Sequence, residues 1–112
     1  MHMISLNCYN CCQYQIRWIV DDKVVGSCSC LMYKNNKAKV MLIDDVFVEE
    51  EHRGNGYGKA MINGAIELAQ RHDVDSVELT VNMDNIIARN LYRVTGFEET
   101  DKKYCRRILR VL

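Results

Sequence analysis

Between Asp44 and Ile62 the chain reads Asp-Asp-Val-Phe-Val-Glu-Glu-Glu-His-Arg-Gly-Asn-Gly-Tyr-Gly-Lys-Ala-Met-Ile. An apolar strand runs into an acidic turn, and the turn opens a helix through Gly54, Gly56 and Gly58 on alternate positions. Without a Cβ, glycine takes backbone angles that strain other residues and lets a ligand approach closely. The first turn of a helix carries N–H groups with no intrahelical partner, and the helix dipole adds partial positive charge. Arg53 and Lys59 flank the turn and can add full charges. The simplest ligand for such a turn is a pyrophosphate.

The rest of the chain limits what can surround that turn. At 112 residues there is room for one domain, 1–112, and an apolar content of 48% supports one core. Formal charge is zero at neutral pH, so nothing favours a nucleic-acid or polyanion partner. No run of eighteen apolar residues and no signal peptide is present. We therefore expect a soluble cytoplasmic protein without a membrane partner. Six cysteines are many for this length. Cys8-x-x-Cys11 with Cys28-x-Cys30 could supply four thiolates to a zinc ion in an interaction domain, but the second pair lacks the usual two-residue knuckle. Small buried hydrophobes of a reduced protein fit better, and Cys28 and Cys30, two apart, should share one sheet face. No metal site is expected.

Met3-Ile4-Ser5-Leu6 reads as a short strand and Asn7 to Asn10 as a turn. Gln13 to Val20 alternates (Tyr14, Ile16, Trp18, Val20) and reads as a strand. Asp21-Asp22-Lys23 is a hairpin turn, Val24 to Tyr33 a second strand, Lys34-Asn35-Asn36-Lys37 another turn, and Lys39 to Val48 a third strand. These make an antiparallel meander. A helix from about Tyr57 to His72 presents Met61, Ile62, Ala65, Ile66 and Ala69 on one face. Ser76 to Val81, with Val77, Leu79 and Val81 inward, should lie parallel to the third strand, because a helix joins the two. Asp84 or Asn85 caps a short helix reaching about Thr95, and Gly96 stops it. Phe97 to Leu112 returns as one or two strands. Its basic residues Lys102, Lys103, Arg106, Arg107 and Arg110 read as sheet-edge charge. The fold class is α+β, with mixed α/β layers: a mostly antiparallel mixed sheet with two main helices.

Two known phosphate motifs fail on this turn. The Walker loop needs Ser or Thr after its lysine, where Lys59 is followed by Ala60; its glycine spacing fails as well. The dinucleotide fingerprint G-x-G-x-x-G has its third glycine one place later than Gly58, and the chain is short for a doubly wound domain. Arg-x-x-Gly-x-Gly, as Arg53-Gly54-Asn55-Gly56-Tyr57-Gly58, does fit. A second stretch, Asn82 to Phe97, places Asn85, Ala88 and Tyr92 at i, i+3 and i+7 on one helix face. A polar cap, a small residue and a phenol in line suit a narrow ligand lying along the helix. Ile87, Leu91 and Val94 look like the better core stripe.

Together the two stretches resemble the GCN5-related N-acetyltransferases (GNAT family), whose glycine loop binds acetyl-coenzyme A. The second signature, Asn-x-x-Ala-x-x-x-Tyr-x-x-x-Gly-Phe, is matched by Asn85, Ala88, Tyr92, Gly96 and Phe97. The resemblance covers Gln13 to the C-terminus. It implies a parallel strand pair that splays apart, with the thioester in the gap. It also implies acetyl-CoA contacts from Val46, Phe47 and Val48, from Arg53, Gly54, Asn55, Gly56, Tyr57, Gly58 and Lys59, and from Asn85 and Ala88. The Val48 N–H would polarise the thioester carbonyl. Tyr92 would protonate the leaving thiolate and Asp44 would serve as base through a water. Asp45, adjacent on a strand, should point to the other face. The chain departs from the family in one respect: only Met1 to Cys12 precede the strand at Gln13, too few for the two helices that usually wall the acceptor site. That departure points either to a homodimer that completes the site or to a CoA-binding module without catalysis. Asp44, Asp45, Glu49 to Glu51, Glu98, Glu99 and Asp101 concentrate acid around the expected cleft. They favour a cationic amine acceptor: a polyamine, an aminoglycoside-like sugar, a lysine or an N-terminus.

Overall fold

Alternation along the strands builds the core. A computed structural model describes residues 2–8, 11–34, 37–100 and 104–109. Strands β1 (His2–Cys8), β2 (Cys11–Val20), β3 (Lys23–Lys34) and β4 (Lys39–Val48) form an antiparallel meander. Helix α1 (Tyr57–Arg71) crosses to β5 (Ser76–Thr80), and α2 (Ile86–Val94) leads to β6 (Glu98–Glu99) and β7 (Tyr104–Ile108). The sheet order is β1-β2-β3-β4-β5-β7-β6, and β4–β5 is its parallel pair. The expected mixed, mostly antiparallel sheet with two helices is the architecture found. Cys28, Cys30 and Met32 on β3, Met41 and Ile43 on β4, and Val77 and Leu79 on β5 point to one face at period two. All are buried there with Ile16 of β2. The two cysteines do share a face, as free thiols.

Helix α1 covers that face. Its buried residues are Met61, Ile62, Gly64, Ala65, Ile66, Leu68 and Ala69, which contain the whole expected stripe. Each large apolar side chain buried this way contributes about 1.5–3 kcal/mol. His72 ends the helix as its C-cap, and Tyr14 Oη sits 3.3 Å from His72 Nε2, tying β2 to that end. Asp75 holds the start of β4 to the start of β5: Lys39 N donates to its carboxylate at 2.9 Å, and its own N–H donates to Lys39 O at 2.8 Å.

Helix α2 corrects the sequence reading. Asn85 Oδ1 accepts from Ala88 N at 3.0 Å, so the expected cap is present. Gly96 (φ 98°) closes the other end, with Phe97 N donating to Tyr92 O and Gly96 N to Arg93 O, a Schellman turn. The buried face, however, is not Ile87–Leu91–Val94. Ile87 is 85% exposed and Val94 65%, whereas Tyr92 is 6% exposed and joins the core with Ala88 and Leu91 beside it. Tyr92 meets Phe97 edge-on at 6.0 Å. A tyrosine ring is large apolar volume, and counting only aliphatic residues misassigned the stripe.

The C-terminal arm differs too. Strand β7 lies between β5 and β6, so Arg106 and Arg107 belong to an interior strand and not to a sheet edge. Lys102, Lys103, Arg110, Asp101 and the middles of the turns expected at 7–10 and 34–37 lie outside the described residues. Both helices pack on the Ile16 side of the sheet. Among the described residues no helix covers the opposite face, and none is long and apolar enough to cross a membrane.

Candidate functional site

Strands β4 and β5 part company early. Their pairing runs Val40↔Ser76, Met41↔Val77 and Leu42↔Glu78, and then stops. Strand β4 continues to Val48 and β5 to Thr80. A cleft of about 180 Å3 opens where they separate. Asp44, Asp45 and Val46 line one wall, Thr80 the other, and Asn85, Ala88 and Tyr92 close it from α2. The predicted splay is therefore present, and the two signature stretches meet at it.

A bulge shapes the first wall. Ser27 pairs with Phe47 but Ser29 with Asp44, so β4 carries one more residue than β3 between those pairs. Asp45 takes φ 53°, and its N–H donates to Asp44 Oδ1 at 2.9 Å. This corrects the expectation that the two aspartates point to opposite faces. The extra residue breaks the alternation, and both residues line the cleft. The sequence signal was the Asp-Asp pair itself, since aspartate tolerates the left-handed region better than most residues. Beyond the bulge, Val46 and Val48 pack toward the core while Phe47 is 52% exposed.

The glycine loop follows directly. Glu49 N donates to Val25 O at 2.8 Å, a 3-10 turn spans Glu50–His52, and α1 begins at Tyr57. Gly54 and Gly56 both have φ 81°, a region costly to any side chain, and a Cβ at either meets nothing within 4 Å. The backbone there faces open space. Gly58 has a different part: it lies within α1, where an added Cβ would sit 3.4 Å from Leu91 Cδ2 and 3.9 Å from Val48 Cγ2. It lets α1 pass close to α2 at the end of β4. The first helical bond is Ala60 N to Gly56 O at 3.0 Å, which leaves the amides of Tyr57, Gly58 and Lys59 without an intrahelical acceptor. Arg53 Nε donates to Val48 O at 2.9 Å, Asn55 Nδ2 donates to His52 O, and Lys59 is exposed. Trp18 stacks on Tyr57 at 5.0 Å, a contact the sequence reading missed.

The acidic rim is smaller than expected. Glu98 and Glu99 line a separate depression of about 450 Å3 on another face of α2, beside Arg89, Asn90 and Arg93. Glu99 pairs with Arg89 at 2.8 Å, and that hydrogen-bonded guanidinium holds its carboxyl below the usual glutamate range. Lys23 pairs with Glu49 at 3.6 Å. Among the described residues, Asp44 and Asp45 are the expected acids that line the cleft. Among the described residues, no group of three or more His, Cys, Asp or Glu could hold a metal ion.

Residues 4–97 match the model of the acetyltransferase (GNAT) family. The chain belongs to the GNAT family. An uncharacterized N-acetyltransferase of Methanocaldococcus jannaschii is 38% identical over 97 residues, 82% of this chain and 43% of that protein. Among solved structures, the NatC complex bound to a Gag peptide and CoA superposes with TM-score 0.77 at 22% identity, over 88% of this chain and 71% of that one. A GNAT family acetyltransferase from Elizabethkingia anophelis with acetyl-CoA bound gives 0.73 at 14%, over 89% and 77%. At these identities the structures establish the GNAT fold. The chain spans less than half the length of the curated relatives it matches.

Proposed function

We propose that this GNAT chain transfers the acetyl group of acetyl-CoA to a primary amine by direct attack in a ternary complex. One observation carries the reading: the β4–β5 pairing ends at Leu42↔Glu78, and the cleft it leaves is continuous in sequence with a left-handed glycine loop at a helix N-terminus. A relative, the spermine/spermidine N(1)-acetyltransferase of Bacillus subtilis, is 32% identical over 66 residues, 58% of this chain and 43% of that protein. The residues fit acetyl-CoA. The open front of Gly54 and Gly56, with the unbonded amides of α1, suits a pyrophosphate, and Arg53, Asn55, Tyr57, Gly58 and Lys59 surround it. Val46, Phe47 and Val48 lie beyond the last bonded pair, so their main chain can take the pantetheine arm as an added strand between Asn85, Ala88 and β4.

In this mechanism the Val48 N–H steadies the charge that develops on the thioester oxygen. Asp44 takes the amine proton through a water, with Asp45 beside it as the other candidate. The amine nitrogen bonds to the acetyl carbon, the carbon–sulfur bond breaks, and Tyr92 hands its proton to the departing thiolate. Calorimetric titration with acetyl-CoA tests the loop; no binding overturns the reading. Tyr92→Phe tests the acid: we expect turnover to fall by about 10²–10⁴-fold with acetyl-CoA binding retained, and unchanged turnover removes the role. We expect a cytoplasmic homodimer joined at the open β1 edge, which light scattering would show. A second reading, a CoA-binding module without catalysis, is favoured by the sheet face that no described helix covers. Tight acetyl-CoA binding without turnover of any amine selects it.

A further inference from the structure

The uncovered sheet face carries one cation in an unusual setting. Gln15 and Arg17 flank Ile16, which is buried against α1, so both point to the opposite face. Gln15 Oε1 accepts from Arg17 Nε at 3.2 Å and from Arg17 Nη2 at 3.0 Å. Arg17 is partly buried, and its guanidinium is oriented by a neutral partner. Lys23–Glu49, Arg71–Glu67 and Arg89–Glu99 are ion pairs among the described residues, and Arg17 is in none of these three. Partly desolvating a guanidinium without a counter-charge costs stability, and its planar fork suits a bidentate carboxylate or phosphate.

The register puts this cation on the same sheet face as Asp44, which lines the cleft. Arg17 pairs with Ser27 and Ser27 with Phe47; Gln15 pairs with Ser29 and Ser29 with Asp44. Arg17 therefore stands one row along and two strands across from Asp44, about 10 Å between strand backbones. The small side chains of Ser27 and Ser29 separate them, and no described helix lies over them. A carboxylate at one end of this lane and a cation at the other match a zwitterion.

We propose that Arg17 is the anchor for an anionic group carried by the acceptor, so that the substrate is an amine bearing a carboxylate (or a phosphate) several bonds from its nitrogen. This rests on the acetyl-transfer reading above and narrows its acceptor class, from any cationic amine to an amine with an opposite charge at its far end. Asp44 and Asp45 attract the ammonium end while Arg17, braced by Gln15, takes the anion.

The test compares 6-aminohexanoate with 6-aminohexanamide, which differ only in the charge of the distal group, at saturating acetyl-CoA. For the native protein kcat/KM should favour the acid by roughly 10- to 100-fold, the worth of a charge-assisted hydrogen-bond pair, chiefly through KM. In Arg17→Gln that ratio should fall to about one, and Arg17→Lys should restore part of it. Because the readout is a ratio within one preparation, partial loss of folded protein does not move it. Equal kcat/KM for acid and amide in the native protein overturns the anion anchor and leaves acetyl transfer standing. A preference that survives Arg17→Gln overturns the assignment to Arg17. Absence of turnover with these amines and with 1,6-diaminohexane overturns both readings. Preference for 6-aminohexyl phosphate over the acid would identify the anion as a phosphate.

Discussion

Gly56 shows how one residue serves two needs. It is the N-cap of α1 in the left-handed region, and its surroundings are empty, so a methyl group there meets no clash. Gly56→Ala should still lose about 1–2 kcal/mol from the backbone angle alone, visible as a lower midpoint in urea denaturation. It should weaken acetyl-CoA binding as well, since the loop relaxes away from this angle. Glu99 makes a prediction of different sign. Its folded carboxyl is held below the ordinary range by the Arg89 hydrogen bond. The pair's contribution is therefore present above the usual glutamate range and fades as pH falls through the lowered value. A carboxyl NMR titration should place Glu99 low in the native protein and return it to the ordinary range in Arg89→Ala. A midpoint unaffected by that substitution would show that Arg89 is not the cause.

Among the elements, α2 is the one whose orientation decides the site. Its nine residues could bury either an aliphatic face or the face of Ala88 and Tyr92. The Schellman turn at Gly96 and the packing of Tyr92 on Phe97 select the second, and that choice brings Tyr92 to the cleft. Substitutions on α2 should report this directly. Ile87→Gln and Val94→Gln should change stability by less than about 0.5 kcal/mol, as exposed sites do. On α1, Met61→Ala should cost about 2–5 kcal/mol, because Met61 is fully buried. Equilibrium denaturation of the three variants checks both expectations, and a large loss at Ile87 would restore the aliphatic stripe as the buried face.

At the scale of the molecule, one sheet is assembled from two arms. The meander β1–β4 is built from adjacent hairpins, while β5, β7 and β6 join it through three residue pairs at the start of the parallel seam. Cys28 and Cys30 lie in the core that spans both arms, and the hydrogen bond to Cys28, together with burial, pushes the Cys30 thiol up. Both are almost fully buried, and that shielding should make both resist alkylation under native conditions. Mass mapping across a urea series should show them labelling together with the loss of global structure. Labelling well before that transition would mean that the seam opens separately.

Residue pattern alone determined the meander, the α1 stripe, the parallel crossover, the cap at Asn85 and the two stretches that carry the family. Each of these follows from local periodicity or from backbone angles that few residues accept. Only the tertiary structure decided which face of α2 is buried, where β7 inserts, and that Asp44 and Asp45 share a wall. The reason in each case is a partner distant in sequence. Tyr92 competes with Ile87 for one surface, β7 pairs with both β5 and β6, and the bulge is defined by which β3 residue stands opposite. Arg17 has the same cause: its sequence shows a strand-borne cation, but its pairing with Gln15 in place of a described carboxylate and its place across from Asp44 exist only once three strands are side by side.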